Sequence, residues 1–322
     1  MNKRQVPKLL GCGATILFIF FIPLFIKGSY TLHILIMAAL NIILASSLRL
    51  IAISGMLSLA HGGMVAVGAY TSALLVMRVG LSFWTALPLA GLATTGLALF
   101  VGFPFVRIKG IYFAMVTVFL AEMIILLAEH WRGLTGGTSG IFNIPQPDAV
   151  TVSGILTLDF ASKTDYYYLI LLLMLFTLLT LYAIEHSRIG LAWLSIRQAD
   201  FLAESVGINI ANYKVLAFSI GCFFAGIAGC FYSHYISAIN PRAFGFFFAI
   251  YIVVYVVVGG IRNFSGPILG AFILTIIPEL ARFLKEFQPF IFAGVLMLVI
   301  FFLPEGLASL PHRLARIPKK SV

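Results

Sequence analysis

Glu122 is the one carboxylate well inside an apolar stretch, in YFAMVTVFLAEMIILL. An acid at that depth in hydrocarbon is costly, and function is the first hypothesis for it. Two readings stand side by side. One is a residue that lines a translocation path or relays protons. The other is a hydrogen-bonded packing acid that faces a bundle interior. No second ionisable residue lies nearby in sequence to complete a relay, which favours packing. His61 follows Ser58 and precedes Gly62 and Gly63. A lone histidine there reads as a hydrogen-bonded interior group rather than a ligand. Ser58 and His61 join Glu122 as candidates for a path. Cys12, Cys222 and Cys230 fall in apolar runs, without a CxxC pair or metal-ligand spacing. There is no GxxxxGKS/T phosphate loop, no HExxH and no GxSxG. Hydrolytic and redox chemistry therefore have no visible equipment, and an intramembrane enzyme would need His, Asp or Glu clustered at one membrane face.

The elements that carry these residues are membrane spans. Hydrophobic residues make up 61% of the 322, charged residues only 10%, and the mean hydropathy is +1.07. Such a chain cannot cover a water-facing surface. It reads as one all-α polytopic transmembrane domain, residues 1–322, of about ten helices. The spans are Leu9–Ile26, Leu32–Ile51, Gly55–Met77, Phe83–Val106, Ile111–Glu129, Tyr166–Glu185, Val215–Ile236, Phe246–Ile261, Pro267–Leu284 and Pro289–Leu303. The first resembles a signal peptide, but it is long and no small-x-small cleavage site follows, so it reads as a retained helix. Ser54, Gly55, Ser58, His61, Gly62 and Gly63 interrupt the apolar pattern. That predicts a broken or kinked helix packed inside protein, since lipid cannot satisfy free backbone groups.

The net charge of +10 does not point to nucleic acid, because Lys and Arg are scattered at span ends rather than gathered in a stripe. With the N-terminus inside, fourteen basic residues fall on the cytoplasmic side and seven outside, which together make the 21 in the chain. This bias places both termini in the cytoplasm. Residues 130–165 then form a long outside loop, and residues 187–212 a long inside loop. In the inside loop, Leu191, Leu194, Ile196, Phe201, Leu202 and Val206 recur at helical intervals among Arg197, Gln198, Asp200 and Glu204. That predicts a short amphipathic helix at the membrane face, docked on lipid or on a protein. One Arg against one Asp and one Glu leans toward a protein partner. Pairs of small residues four apart, Gly62/Ala66, Ala69/Ala73, Ala225/Gly229 and Gly266/Gly270, mark close helix contacts. Ser54–Tyr70 and Gly259–Phe272 both show a Gly-rich entry into a small-residue helix, a loose sign of an internal repeat.

Several stretches together carry a family likeness: GMLSLAHGGMVAVGAYTSALL, RIKGIYFAMVTVFLAEMI, LTGGTSGI, GLAWLSIRQADFLAESVGIN, YKVLAFSIGCFFAGIAGCFYSHY and VVVGGIRNFSGPILGAFILTIIPELAR. The chain resembles the permease subunits of branched-chain amino acid ABC importers, above all the M-type subunit. The resemblance implies a type II ABC importer permease fold and an inner-membrane location. It implies half of a pore, paired with a related H-type permease, with two ABC ATPase subunits below and a periplasmic substrate-binding protein above. ATP and magnesium would be bound by the ATPases, leaving this chain without a cofactor and without catalysis. The inside loop would be the coupling segment, with Ala192, Ile196, Arg197, Asp200, Ala203, Glu204 and Gly207 on its pattern. Trp193, Gln198 and Phe201 depart from that pattern. The alternative is an ATPase-independent secondary transporter or channel for a small polar or zwitterionic solute. It would need ionisable groups in several spans, and only Glu122 is present.

Overall fold

In a computed structural model, residues 28–108, 110–152, 156–158, 160, 162–280, 293–294, 296–299, 301, 303 and 306–309 are described. They form a helical bundle. Its long helices are α1 (Ser29–Ile53), α2 (His61–Val79), α3 (Phe83–Phe105) and α4 (Ile111–His130). A short α5 (Arg132–Thr135) and the strands β1 (Ile141–Phe142), β2 (Val150–Val152) and β3 (Leu156–Leu158) lie before α6 (Lys163–Glu185). Two short helices follow, α7 (Arg188–Gln198) and α8 (Asp200–Ser205), and then α9 (Ile210–Ile236). After β4 (Ala238–Ile239) come α10 (Phe246–Gly259) and α11 (Ser265–Leu280). Among the described residues, seven helical segments are long and apolar enough to cross a membrane, the seventh being Pro241–Gly259, which includes α10; α11 is a shorter apolar helix. The predicted span Leu9–Ile26 lies outside the described residues, as do seven of the fifteen residues of Pro289–Leu303.

The helices alternate in direction. The end of the bundle that carries α7 and α8 is called lower here. Helices α1 and α9 are the most covered, and α3 and α4 the least. Helix α9 packs against α1, α2 and α3, while α1 also meets α6 and α11. In lipid there is no hydrophobic drive between helices, so close backbone contact must supply the cohesion. The sequence provides it where α9 crosses α2: a methyl group on Gly68 would overlap the Gly226 carbonyl, and one on Gly229 would overlap the Val65 carbonyl. These contacts extend the small-residue pairs read from sequence.

The predicted break between α1 and α2 is present, and it corrects the start of the third span from Gly55 to His61. Helix α1 ends at Ile53, and Gly55 turns the chain at φ +83°, a conformation that costs only glycine little. The irregular segment is not left unsatisfied. Leu59 N–H donates to Thr117 Oγ1 on α4 at 3.0 Å, and Ala60 N–H donates to the buried Ser58 hydroxyl at 3.2 Å. The second Gly-rich entry behaves alike, with Gly260 at φ +102° before α11. At the upper end, β1 pairs antiparallel with β4, so LTGGTSGI is held against the α9–α10 connection. Asp148 caps α3, accepting from Phe83 N–H at 3.1 Å, and His234 Nδ1 meets the Pro145 carbonyl at 2.7 Å.

A braced segment at the lower end

The lower face is built on a buried ion pair. Arg49, near the end of α1, donates to both oxygens of Glu185 at the end of α6, at 2.7 and 2.9 Å. Its Nε also donates to the Ile261 carbonyl at 2.9 Å, and its guanidinium lies 5.5 Å from the Phe264 ring centre. Arg49 is 3% exposed. One guanidinium thus joins α1, α6 and the α10–α11 turn beside the start of α7. Two opposite charges at the ends of separate spans were the only sequence signal for it, and spacing along the chain cannot pair residues 136 positions apart.

Helix α7 begins at Ser187, whose hydroxyl accepts from Ile189 N–H at 3.2 Å. The expected single amphipathic helix is two, because Ala199 adopts an extended backbone (φ −159°, ψ 99°) between α7 and α8. Asp200, the first residue of α8, pairs with the buried Lys214 of α9 at 3.3 Å, which turns α8 back toward the bundle. Trp193 is wholly covered, and its indole N–H donates to the Tyr213 carbonyl on α9 at 2.7 Å. A residue that departs from the resemblance pattern is therefore the anchor of the segment.

The predicted coupling residues divide in two. Ala192, Ile196 and Ala203 are buried and hold the helices to the bundle. Arg197, Glu204 and Gly207 are exposed, and Asp200 is half-buried in its ion pair. The outward surface is apolar as well: Phe201 is 81% exposed, and Leu191, Leu202 and Val206 stand out beside it. Arg197 lines two clefts. One has a volume of about 220 Å³ and includes Gly55, Phe113, Asp200 and Lys214. The other, about 320 Å³, includes Arg49, Glu185 and Arg262. The arrangement is a rigidly mounted, partly apolar surface, and no metal-binding cluster is found among the described residues.

Two of the three path candidates share the α1–α2 break, and the third is on the neighbouring α4. His61 and Ser58 are fully buried at the α1–α2 break, with His61 Nε2 at 3.0 Å from Ser47 Oγ and Nδ1 without a partner. The expectation of a hydrogen-bonded interior histidine agrees with this geometry. Glu122 sits on α4, half-buried, and makes no hydrogen bond or ion pair among the described residues. The packing reading expected a hydrogen-bonded acid, so in that respect the expectation is corrected.

Residues 30–304 match a protein family described as branched-chain amino acid transport system / permease component. The chain is 31% identical over 75% of its length to the high-affinity branched-chain amino acid transport system permease protein LivM of Salmonella typhimurium, and equally to LivM of Escherichia coli. It covers 61% of the length of each. The Pseudomonas aeruginosa permease protein BraD is 30% identical over 42% of this chain and 44% of its own. No solved structure matches. A bundle of apolar helices and a match over residues 30–304 agree: the chain belongs to the family of branched-chain amino acid transport permease components.

Proposed function

We propose that this chain is one transmembrane subunit of an ATP-driven importer of branched-chain amino acids in the inner membrane, working with an H-type permease, two ABC ATPases and a periplasmic substrate-binding protein. The proposal has both termini in the cytoplasm, ten spans in one domain over residues 1–322, and residues 130–165 facing the periplasm. Residues 187–212 are the coupling segment. ATP and magnesium belong to the ATPases, and this chain binds neither. The curated relatives' names carry the substrate class, and the similarity to them carries the class across.

The observation that supports coupling is the mounting of α7 and α8. Apolar groups as exposed as Phe201, Leu202 and Val206 at a membrane face call for lipid or a protein partner. Arg197 and Glu204 stand among them with balanced charge, which favours protein over an anionic lipid surface. Behind them, Trp193 and the Asp200–Lys214 pair join the segment to α9, the most connected helix of the bundle. A push on α8 is thereby passed to α9 as a rigid body, which is how a hinge-type transition is driven.

The test is recovery of partners. The tagged chain, extracted in gentle detergent, should bring down an ABC ATPase and a second permease. Phe201→Asp should lose the ATPase and keep the permease. Unchanged ATPase recovery with Phe201→Asp, or recovery of the chain alone where a control ABC complex stays intact, refutes the coupling assignment.

A further inference from the structure

The upper part of α4 carries a third charged pair, of a different kind. Arg242, in the one-turn helix Pro241–Phe244, donates through Nε to Glu129 Oε1 at 2.7 Å. Glu129 is 10% exposed, but Arg242 is 78% exposed. The remaining guanidinium groups of Arg242 make no bond among the described residues. Behind the pair, the Tyr70 hydroxyl is buried and unpartnered, within electrostatic reach of Glu129.

Depth gives this pair its meaning. Gly63 of α2 packs against Ala121 of α4, 2.8 Å from where a Cβ would sit, and both helices rise from there. Glu129 is eight residues beyond Ala121, which is the level of residue 71 on α2. Helix α2 continues to Val79, about 12 Å higher at 1.5 Å per residue. Arg242 and Glu129 therefore lie below the upper rim, within the span of α2. Charged side chains at such depth face a bundle interior or water rather than lipid. Arg242 is not interior, so its face of the bundle meets water. The same face of α4 descends through Leu126 to Glu122, at helical spacings of three and four residues, and Glu122 makes no hydrogen bond or ion pair among the described residues.

We propose that Arg242 and Glu129 form the upper station of the translocation path, where the zwitterionic head of the amino acid is received. The guanidinium fork takes the carboxylate, and Glu129 takes the ammonium. Arg is suited to this because its planar donors match a carboxylate in pairs. When the substrate draws Arg242 away, the buried Tyr70 hydroxyl, within electrostatic reach, is a donor available to Glu129. Leu126, between the two acids, offers an apolar wall for the side chain. This assignment rests on the permease reading and names the part of the chain that recognises the substrate.

The experiment uses the complete importer in proteoliposomes with its loaded binding protein, measuring labelled leucine uptake and stimulated ATP hydrolysis. Arg242→Gln should lower uptake at least tenfold while stimulated hydrolysis stays within twofold. Arg242→Lys, which keeps the ion pair but loses the fork, should also lower uptake with normal hydrolysis; it decides the matter if the Gln variant fails to assemble. The exchanged pair Glu129→Arg/Arg242→Glu should not restore uptake, because the charges then stand in the wrong order. Full uptake with Arg242→Lys, or full rescue by the exchange, would show that the pair only ties α4 to the Pro241–Phe244 turn. If the unaltered complex imports no leucine, the permease reading falls instead.

Discussion

Removing Arg49 should destabilise the lower end more than any other single change there, because it strands a buried carboxylate. Arg49→Met loses both bonds to Glu185 and the bond to the Ile261 carbonyl. Breaking a buried pair by deleting one partner costs about 3–5 kcal/mol. Glu185 keeps 15% exposure, so the lower figure applies: about 3 kcal/mol, or roughly 150-fold in the folding equilibrium. Replacing both partners removes the stranded charge. Arg49→Met/Glu185→Leu should recover most of the loss, since paired ions exchanged for apolar groups are often neutral in stability. The assay is a denaturant titration of purified protein in detergent, followed by tryptophan fluorescence, on all four members of the cycle. A coupling of at least about 2 kcal/mol is expected, against the few tenths typical of independent sites. Additive losses, with a coupling below about 0.5 kcal/mol, would show that solvent at the lower face satisfies Glu185 and that the pair does not brace α7.

Three further changes probe the coupling segment and the packing. Trp193→Phe keeps the apolar ring but loses the bond to Tyr213; it should cost about 1–3 kcal/mol in thermal unfolding and reduce uptake per ATP hydrolysed, while equal coupling to the parent would refute the anchor. Reversing both charges, Arg197→Glu with Glu204→Arg, should leave stability unchanged and uncouple hydrolysis from transport; survival of uptake and of stimulated hydrolysis would remove these residues from the coupling set. Gly226→Ala places a methyl group 2.8 Å from the Ala90 carbonyl and should cost about 1–3 kcal/mol by overpacking, whereas at Gly102 the nearest atoms are 3.5 Å away and alanine should be neutral or slightly stabilising. Equal melting temperatures for these two alanine variants would refute the close-contact account of the α2–α3–α9 crossing.

Much of this protein is legible in one dimension because its solvent is hydrocarbon. Apolar runs of about twenty residues set the spans, and α3, α4, α6 and α9 lie close to where the hydropathy places them. The polar break at Ser54–Gly63 and the polar segment Arg188–Asn209 stand out for the same reason, since each departs from a background that tolerates few such residues. Small-residue spacing marked where helices meet, though not which helix meets which. The sequence by itself thus determined the class, the positions of several spans and the candidate coupling segment. Tertiary structure decided the pairings: Arg49 with Glu185, Trp193 with Tyr213, Asp200 with Lys214, Glu129 with Arg242. Each joins residues from different elements, and hydropathy and periodicity carry no information about partners across the bundle. The split of one expected helix at Ala199 has the same origin, because an ion pair to a distant lysine overrode local helical spacing. Hydrocarbon makes every polar group conspicuous along the chain, but the partner that satisfies it is fixed only when the helices pack.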